Sequence, residues 1–116
     1  MRISVYSLSR YKRQLKRLEK KYRTALEQSV LISDQIRRGE RPGDAIAGYD
    51  GLVFKERRNN KAVPGGERKG YRFIYCVHPP DEATMLSVYS KTEQADISDG
   101  EIAELVKDAE SRFLGL

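Results

Sequence analysis

Histidine and cysteine are almost absent from this chain: its 116 residues include one of each, His78 and Cys76, and no tryptophan. One imidazole and one thiol cannot supply a ligand cluster, so zinc-dependent hydrolysis is excluded, as is an intramolecular disulfide. Cys76 lies inside the longest uninterrupted apolar stretch, Phe73 to Val77, and reads as a small buried apolar residue. That stretch is far short of the ~20 residues needed to cross a bilayer, and no apolar run followed by small residues opens the chain. A soluble, cytoplasmic protein with no membrane partner is expected. A nucleotide-binding phosphate loop is also missing, because Gly65-Gly66 and Gly70 are not followed by the required Lys-Ser/Thr pair. No metal and no cofactor are expected. His78, next to Pro79, reads as a surface or capping histidine rather than a general base.

Charge is plentiful but unevenly placed. The net charge is +5. Nine basic residues and one acid, Glu19, lie between Arg2 and Thr24, and seven basic residues and two acids between Lys55 and Arg72. From Glu93 to Glu110 the balance reverses, with seven acids facing Lys107 alone. Such a chain can present one strongly positive face to a polyanion such as nucleic acid.

The apolar residues are periodic, which argues for a folded chain, and its length suits a single domain spanning 1–116. Ile3, Val5 and Leu8 flank a short β-capable segment. Ser9 is placed to cap a helix on which Tyr11, Leu15, Leu18 and Tyr22 form one apolar stripe. A second helix follows, with Thr24 as its cap, Leu26, Val30 and Ile36 among its apolar positions, and a stop at Arg37-Arg38-Gly39. The segment from Gly39 to Gly51 turns repeatedly. Leu52 to Phe54 then begin a strand with a charged far end, Tyr71 to Val77 form the clearest strand, and Met85 to Tyr89 a third. Asp96 or Ser98 caps a last helix carrying Ile102, Leu105, Val106 and Phe113. This order predicts an α+β fold: a small, mainly antiparallel sheet with two N-terminal helices packed on one face and a C-terminal helix. The other sheet face can remain open to solvent or to a ligand.

Chemistry points to the basic residues on neighbouring strands: Lys55, Arg57, Arg72 and Lys91, with Tyr71, Tyr75 and Tyr89 interleaved. Side chains two apart on a strand share a face, so Lys55 and Arg57 point the same way, and a paired strand could bring Arg72 beside them. Gathered cations repel unless an anion fills the space, and a phosphodiester suits guanidinium and ammonium groups. RNA cleavage then needs an acceptor for the 2′-hydroxyl proton, positive charge against the oxygens of the five-coordinate phosphorus, and a donor for the leaving oxygen. Lysine could be the acceptor if neighbouring cations lowered its pKa. Arg58, Lys61 and Lys69 extend the candidate RNA-binding surface, and Tyr71 and Tyr89 offer stacking platforms for unpaired bases. The plainer alternative is a set of exposed basic strand residues with aromatics that belong to the core.

Four segments in order, Gly43-Asp44-Ala45-Ile46-Ala47-Gly48, Gly51-Leu52 leading to Lys55 and Arg57, Gly70-Tyr71-Arg72-Phe73-Ile74-Tyr75, and Ser87-Val88-Tyr89-Ser90-Lys91-Thr92-Glu93, resemble the HigB branch of the RelE/ParE toxin superfamily. The likeness runs from about Leu8 to Leu105. It implies a β-α-α-β-β-β fold with a short C-terminal helix and a metal-independent endoribonuclease that cuts mRNA on the ribosome. It also implies a cognate antitoxin of the helix-turn-helix type. By that resemblance Lys55 is the catalytic or phosphate-binding strand lysine and Arg57 its companion. Arg72 stabilises transition-state charge, and Lys91 sits near the cleavage site. The chain departs from the family in Gly51-Leu52-Val53-Phe54-Lys55-Glu56-Arg57, where Lys55 comes one residue later than usual and Glu56 takes a normally apolar place. Within the same superfamily, ParE-like members poison DNA gyrase instead, and a non-catalytic RNA-binding module is a third alternative.

Overall fold

A computed structural model describes residues 2–115; Met1 and Leu116, the two ends of the expected 1–116 domain, lie outside the described residues. The fold is α+β. In chain order it comprises β1 (Ser4–Ser7), α1 (Ser9–Lys21), α2 (Thr24–Arg37), β2 (Asp44–Ala45), β3 (Val53–Arg58), a 3-10 turn (Gly66–Lys69), β4 (Tyr71–His78), β5 (Glu82–Ser90) and α3 (Asp99–Phe113). The strands form one sheet in the order β1-β5-β4-β3-β2. Three neighbouring pairs are antiparallel, while β1 runs parallel to β5. That parallel pair is possible because the helical hairpin and the β-meander all lie between the two strands, giving ample chain for a crossover.

Two cores follow from strand alternation. Phe54, Tyr71, Phe73 and Tyr75 pack against the α1–α2 hairpin, meeting Tyr11, Leu18, Ile32 and Ile36. On the opposite face Val53, Ile74, Cys76 and Leu86 pack against Ile102, Leu105 and Val106 of α3. That second face is therefore only partly open, where the sequence allowed it to be wholly so. α3 covers the part of it nearest the β4–β5 turn, because its own apolar stripe has to be buried, and leaves the far end to charged residues.

The helix boundaries revise several expected caps. Ser9 is already helical and Leu8 occupies the cap position without a side-chain bond. Thr24 likewise opens α2 without capping it; its hydroxyl instead pairs with the buried Tyr71 hydroxyl at 2.8 Å. Ser98 does cap α3, its Oγ accepting from the Glu101 N–H at 3.1 Å. No glycine or proline separates α1 from α2; the break is the single extended residue Tyr22 (φ −133°, ψ 105°), whose ring is drawn in edge-on against Tyr71. α2 buries Ala25, Ser29, Ile32 and Ile36. Leu26 and Val30, expected among its apolar contacts, are instead exposed along with Leu31. Phe113 is also exposed on one side and stacks on His78 with ring centroids 4.7 Å apart.

The glycines of two of the segments described above are explained by close approach of backbones. A Cβ on Gly70 would stand 2.0 Å from the Arg58 carbonyl oxygen, and one on Gly43 2.5 Å from that of Lys55. Both clash with strand backbone, which cannot rotate aside as a side chain could. Gly70→Ala is therefore expected to destabilise the fold by about 2 kcal/mol, the usual scale of forced overpacking. Urea denaturation of the variant beside the wild type measures this; an unchanged midpoint would show that the β3–β4 junction tolerates the extra carbon.

Candidate functional site

The register of β3, β4 and β5 assembles the site. Arg57 pairs directly with Arg72 and Lys55 with Ile74, and Arg72 pairs with Tyr89. Directly paired residues point to the same side, so Lys55, Arg57, Arg72 and Tyr89 share the α3 face. Tyr89 reaches that face through a β-bulge. Alternation along β5 from Met85, which packs against the helical hairpin, would put Tyr89 on the hairpin side. The register shift between Ile74 and Tyr75 of β4 turns it over, the ordinary action of an inserted residue.

Arg57, Glu67, Arg68, Arg72 and Lys91 line one cleft of about 350 Å³. Three of the four sequence-predicted catalytic residues thus meet around a common space. Arg72 is nearly buried, 5% exposed, and one guanidinium nitrogen donates to the carbonyls of Glu67 at 2.7 Å and Tyr71 at 3.1 Å. It thereby anchors the 3-10 turn that delivers Glu67 and Arg68 to the cleft. Burial, and then the neighbouring Arg57 charge, push the Arg72 pKa below the ordinary guanidinium value. Arg57 is exposed, and among the described residues its side chain forms no ion pair, leaving its donors for a ligand.

Lys55 is held differently from the free amine that a general base requires. Its ammonium donates to Asp96 Oδ1 at 3.0 Å, and the same oxygen accepts from the Tyr89 hydroxyl at 3.2 Å and the Ile97 N–H at 2.8 Å. An ammonium already donating to a carboxylate has no lone pair to offer. Asp96, expected as a helix cap, is the counter-ion of the cluster. The Lys91 ammonium donates to the Ala95 carbonyl on the same β5–α3 loop.

The remaining RNA-binding candidates divide. Lys61 and Lys69 are exposed, but neither lines the cleft. Arg58 is displaced from the site: one residue beyond Arg57, it turns to the helical-hairpin face, pairs with Glu56 at 2.9 Å and bonds Gln35. Tyr71 does not offer a stacking platform, since its ring is fully buried against Tyr22 and Phe73. Tyr89 is only 3% exposed, and burial together with Asp96 pushes its hydroxyl up to about 12. Both tyrosines are core residues, as the plainer alternative had it. Arg68 and Glu67 were missed by sequence reasoning, although the glycines flanking Glu67-Arg68-Lys69 marked a turn.

Cys76 is buried and its thiol pushed up to about 12, mainly by desolvation. His78 Nε2 lies 3.0 Å from Thr84 Oγ1. It stands six residues along β4 from Arg72, roughly 20 Å away, and so cannot serve the cleft. Among the described residues no three histidine, cysteine or carboxylate side chains gather as metal ligands would, and no helix is long and apolar enough to cross a membrane. No protein-family model matches the chain, and no curated protein matches it.

The Asp96 carboxyl is drawn from the ordinary 3.8 to about 2, first by the Ile97 N–H and then by Lys55. A carboxylate with a depressed folded-state pKa contributes stability that is present above pH ~4 and is lost as pH falls through the folded value. Asp96→Asn should therefore be less stable than wild type near neutrality, and the gap should close between about pH 4 and pH 2. Denaturation midpoints across that range measure it; a constant gap would mean that the carboxylate charge is not what binds this loop.

Proposed function

We propose that this chain is the toxin of a type II toxin-antitoxin pair, a metal-independent endoribonuclease of the RelE/HigB kind that cuts mRNA on the ribosome. The observation that carries the reading is the convergence of Arg57, Arg72 and Lys91, from three successive strands or their ends, on one cleft. Apart from the added two-residue strand β2, the order of elements, a strand and two helices followed by a β-meander and a final helix, is the one the resemblance implies.

In this reading the cleft holds the scissile phosphodiester. The ribose 2′ oxygen attacks phosphorus, the bond to the 5′ oxygen of the next nucleotide breaks, and a 2′,3′-cyclic phosphate forms. Charge builds on the non-bridging oxygens, where Arg57 and those Arg72 donors not bonded to main-chain carbonyls would meet it. Lys55 orients the cluster through Asp96 and takes no proton. A cytoplasmic setting and a helix-turn-helix antitoxin with an acidic segment complete the proposal. The exposed Leu26, Val30 and Leu31 of α2, beside a strongly basic α1, suit a partner that is both apolar and acidic.

Addition of the protein to a translating extract, followed by mapping of mRNA 5′ ends, tests the reading. Discrete new ends are expected. Arg57→Ala should reduce cleavage by about 10²-fold, the usual cost of one charge-stabilising donor, while leaving thermal stability almost unchanged because Arg57 is exposed. Arg72→Ala should abolish cleavage but also loosen the 3-10 turn. Intact transcripts together with damaged supercoiled DNA would favour a gyrase poison instead. RNA binding with intact transcripts and undamaged DNA would favour a non-catalytic module.

A further inference from the structure

With Lys55 engaged by Asp96, the cleft still needs an acceptor for the 2′-hydroxyl proton. Of the five residues that line it, four are cations that can only donate, and the fifth is Glu67. This carboxylate is exposed and forms no ion pair among the described residues. It is nevertheless held in place through its main chain: the Arg72 guanidinium donates to the Glu67 carbonyl at 2.7 Å, and the Glu67 carbonyl also accepts from the Gly70 N–H at 3.3 Å. The residue is thus tied to the principal cation of the site while its side chain stays free to reach a substrate.

We propose that Glu67 is the general base of the cleft, a role that rests on the endoribonuclease reading above. The Glu67 carboxylate removes the 2′-hydroxyl proton as that oxygen bonds to phosphorus. The departing 5′ oxygen takes a proton from the Lys91 ammonium, which lines the same cleft, and solvent then returns one proton to Lys91 and removes one from Glu67. Glu67 shares this cleft with Arg57, Arg68, Arg72 and Lys91, and it also borders an adjoining hollow lined by Lys55, Arg57, Arg58 and the acids Asp44 and Glu56. The 3-10 turn therefore has a function: it carries the base and an additional cation, Arg68, to a phosphate site built by the sheet.

The test compares wild type, Glu67→Gln and Glu67→Ala in two assays, cleavage of mRNA in the translating extract and binding of a 2′-O-methyl RNA that cannot be cut. Glu67→Gln should lose about 10²- to 10⁴-fold in cleavage rate, the range typical of a general base, and bind the uncleavable RNA as well as wild type or more tightly, since a negative charge has been removed. The fall in wild-type rate at acid pH should vanish from the residual activity of Glu67→Gln, and added formate should partly restore Glu67→Ala. Cleavage by Glu67→Gln within about threefold of wild type overturns the role of Glu67 and leaves the nuclease reading intact. Loss of binding in a folded Glu67→Gln protein also overturns it, making Glu67 a residue that holds RNA. Failure of the wild type itself to cut RNA removes the nuclease reading, and the proposed base with it.

Discussion

Two arginines held face to face across β3 and β4 are the constraint around which the site is organised. Like charges directly opposite on a sheet are ordinarily destabilising, yet Arg57 and Arg72 are register partners. The arrangement persists because the two are treated differently. Arg72 is taken into the protein and satisfied by main-chain carbonyls of the 3-10 turn and of Tyr71, whereas Arg57 remains exposed and dissipates its charge in water. Asp96 and Glu67 lower the local positive potential further, and both enter the electrostatics of Arg72. A bound phosphate would relieve the remaining repulsion, which is why a site of this kind favours an anion without needing a metal to hold it.

The rest of the fold serves this juxtaposition. Gly70 lets the start of β4 come close to the end of β3, and the Gly70 carbonyl in turn receives the Lys91 N–H at 2.9 Å, so one residue ties together the ends of three strands. The bulge in β5 directs Tyr89 to the same face, where its hydroxyl helps to hold Asp96. α3 closes the other end of that face and supplies, through the loop before it, the acceptors for Lys55 and Lys91. The helical hairpin lies on the opposite side of the sheet, where Gln35 bonds the displaced Arg58; its contribution is a rigid platform.

Strand periodicity made much of this readable in advance. Lys55 and Arg57 had to share a face, and pairing of their strand with the next one could bring Arg72 beside them. The tyrosines were harder, because an aromatic residue interleaved with cations fits a stacking surface and a buried core equally well until the helices are docked. Tyr71 and Arg58 fell on the hairpin face, one strand position from the cluster, where a single step reverses every side chain. Leu26 and Val30 were misplaced for a related reason. α2 carries apolar residues on more than one side, and only its contact with the sheet decides which side is buried.

Composition and pattern by themselves determined the α+β class, the antiparallel meander, the lack of a metal-ligand set built on histidine or cysteine, and the strand positions of the principal cations. These are local properties, set by alternation, turn residues and the types of side chain present. Tertiary structure alone decided which cations meet, that Asp96 rather than solvent holds Lys55, and that Glu67 and Arg68 enter the cleft. Each depends on groups distant in the chain, joined by strand register, a bulge and a main-chain anchor from Arg72, and no periodicity within a single segment encodes such contacts.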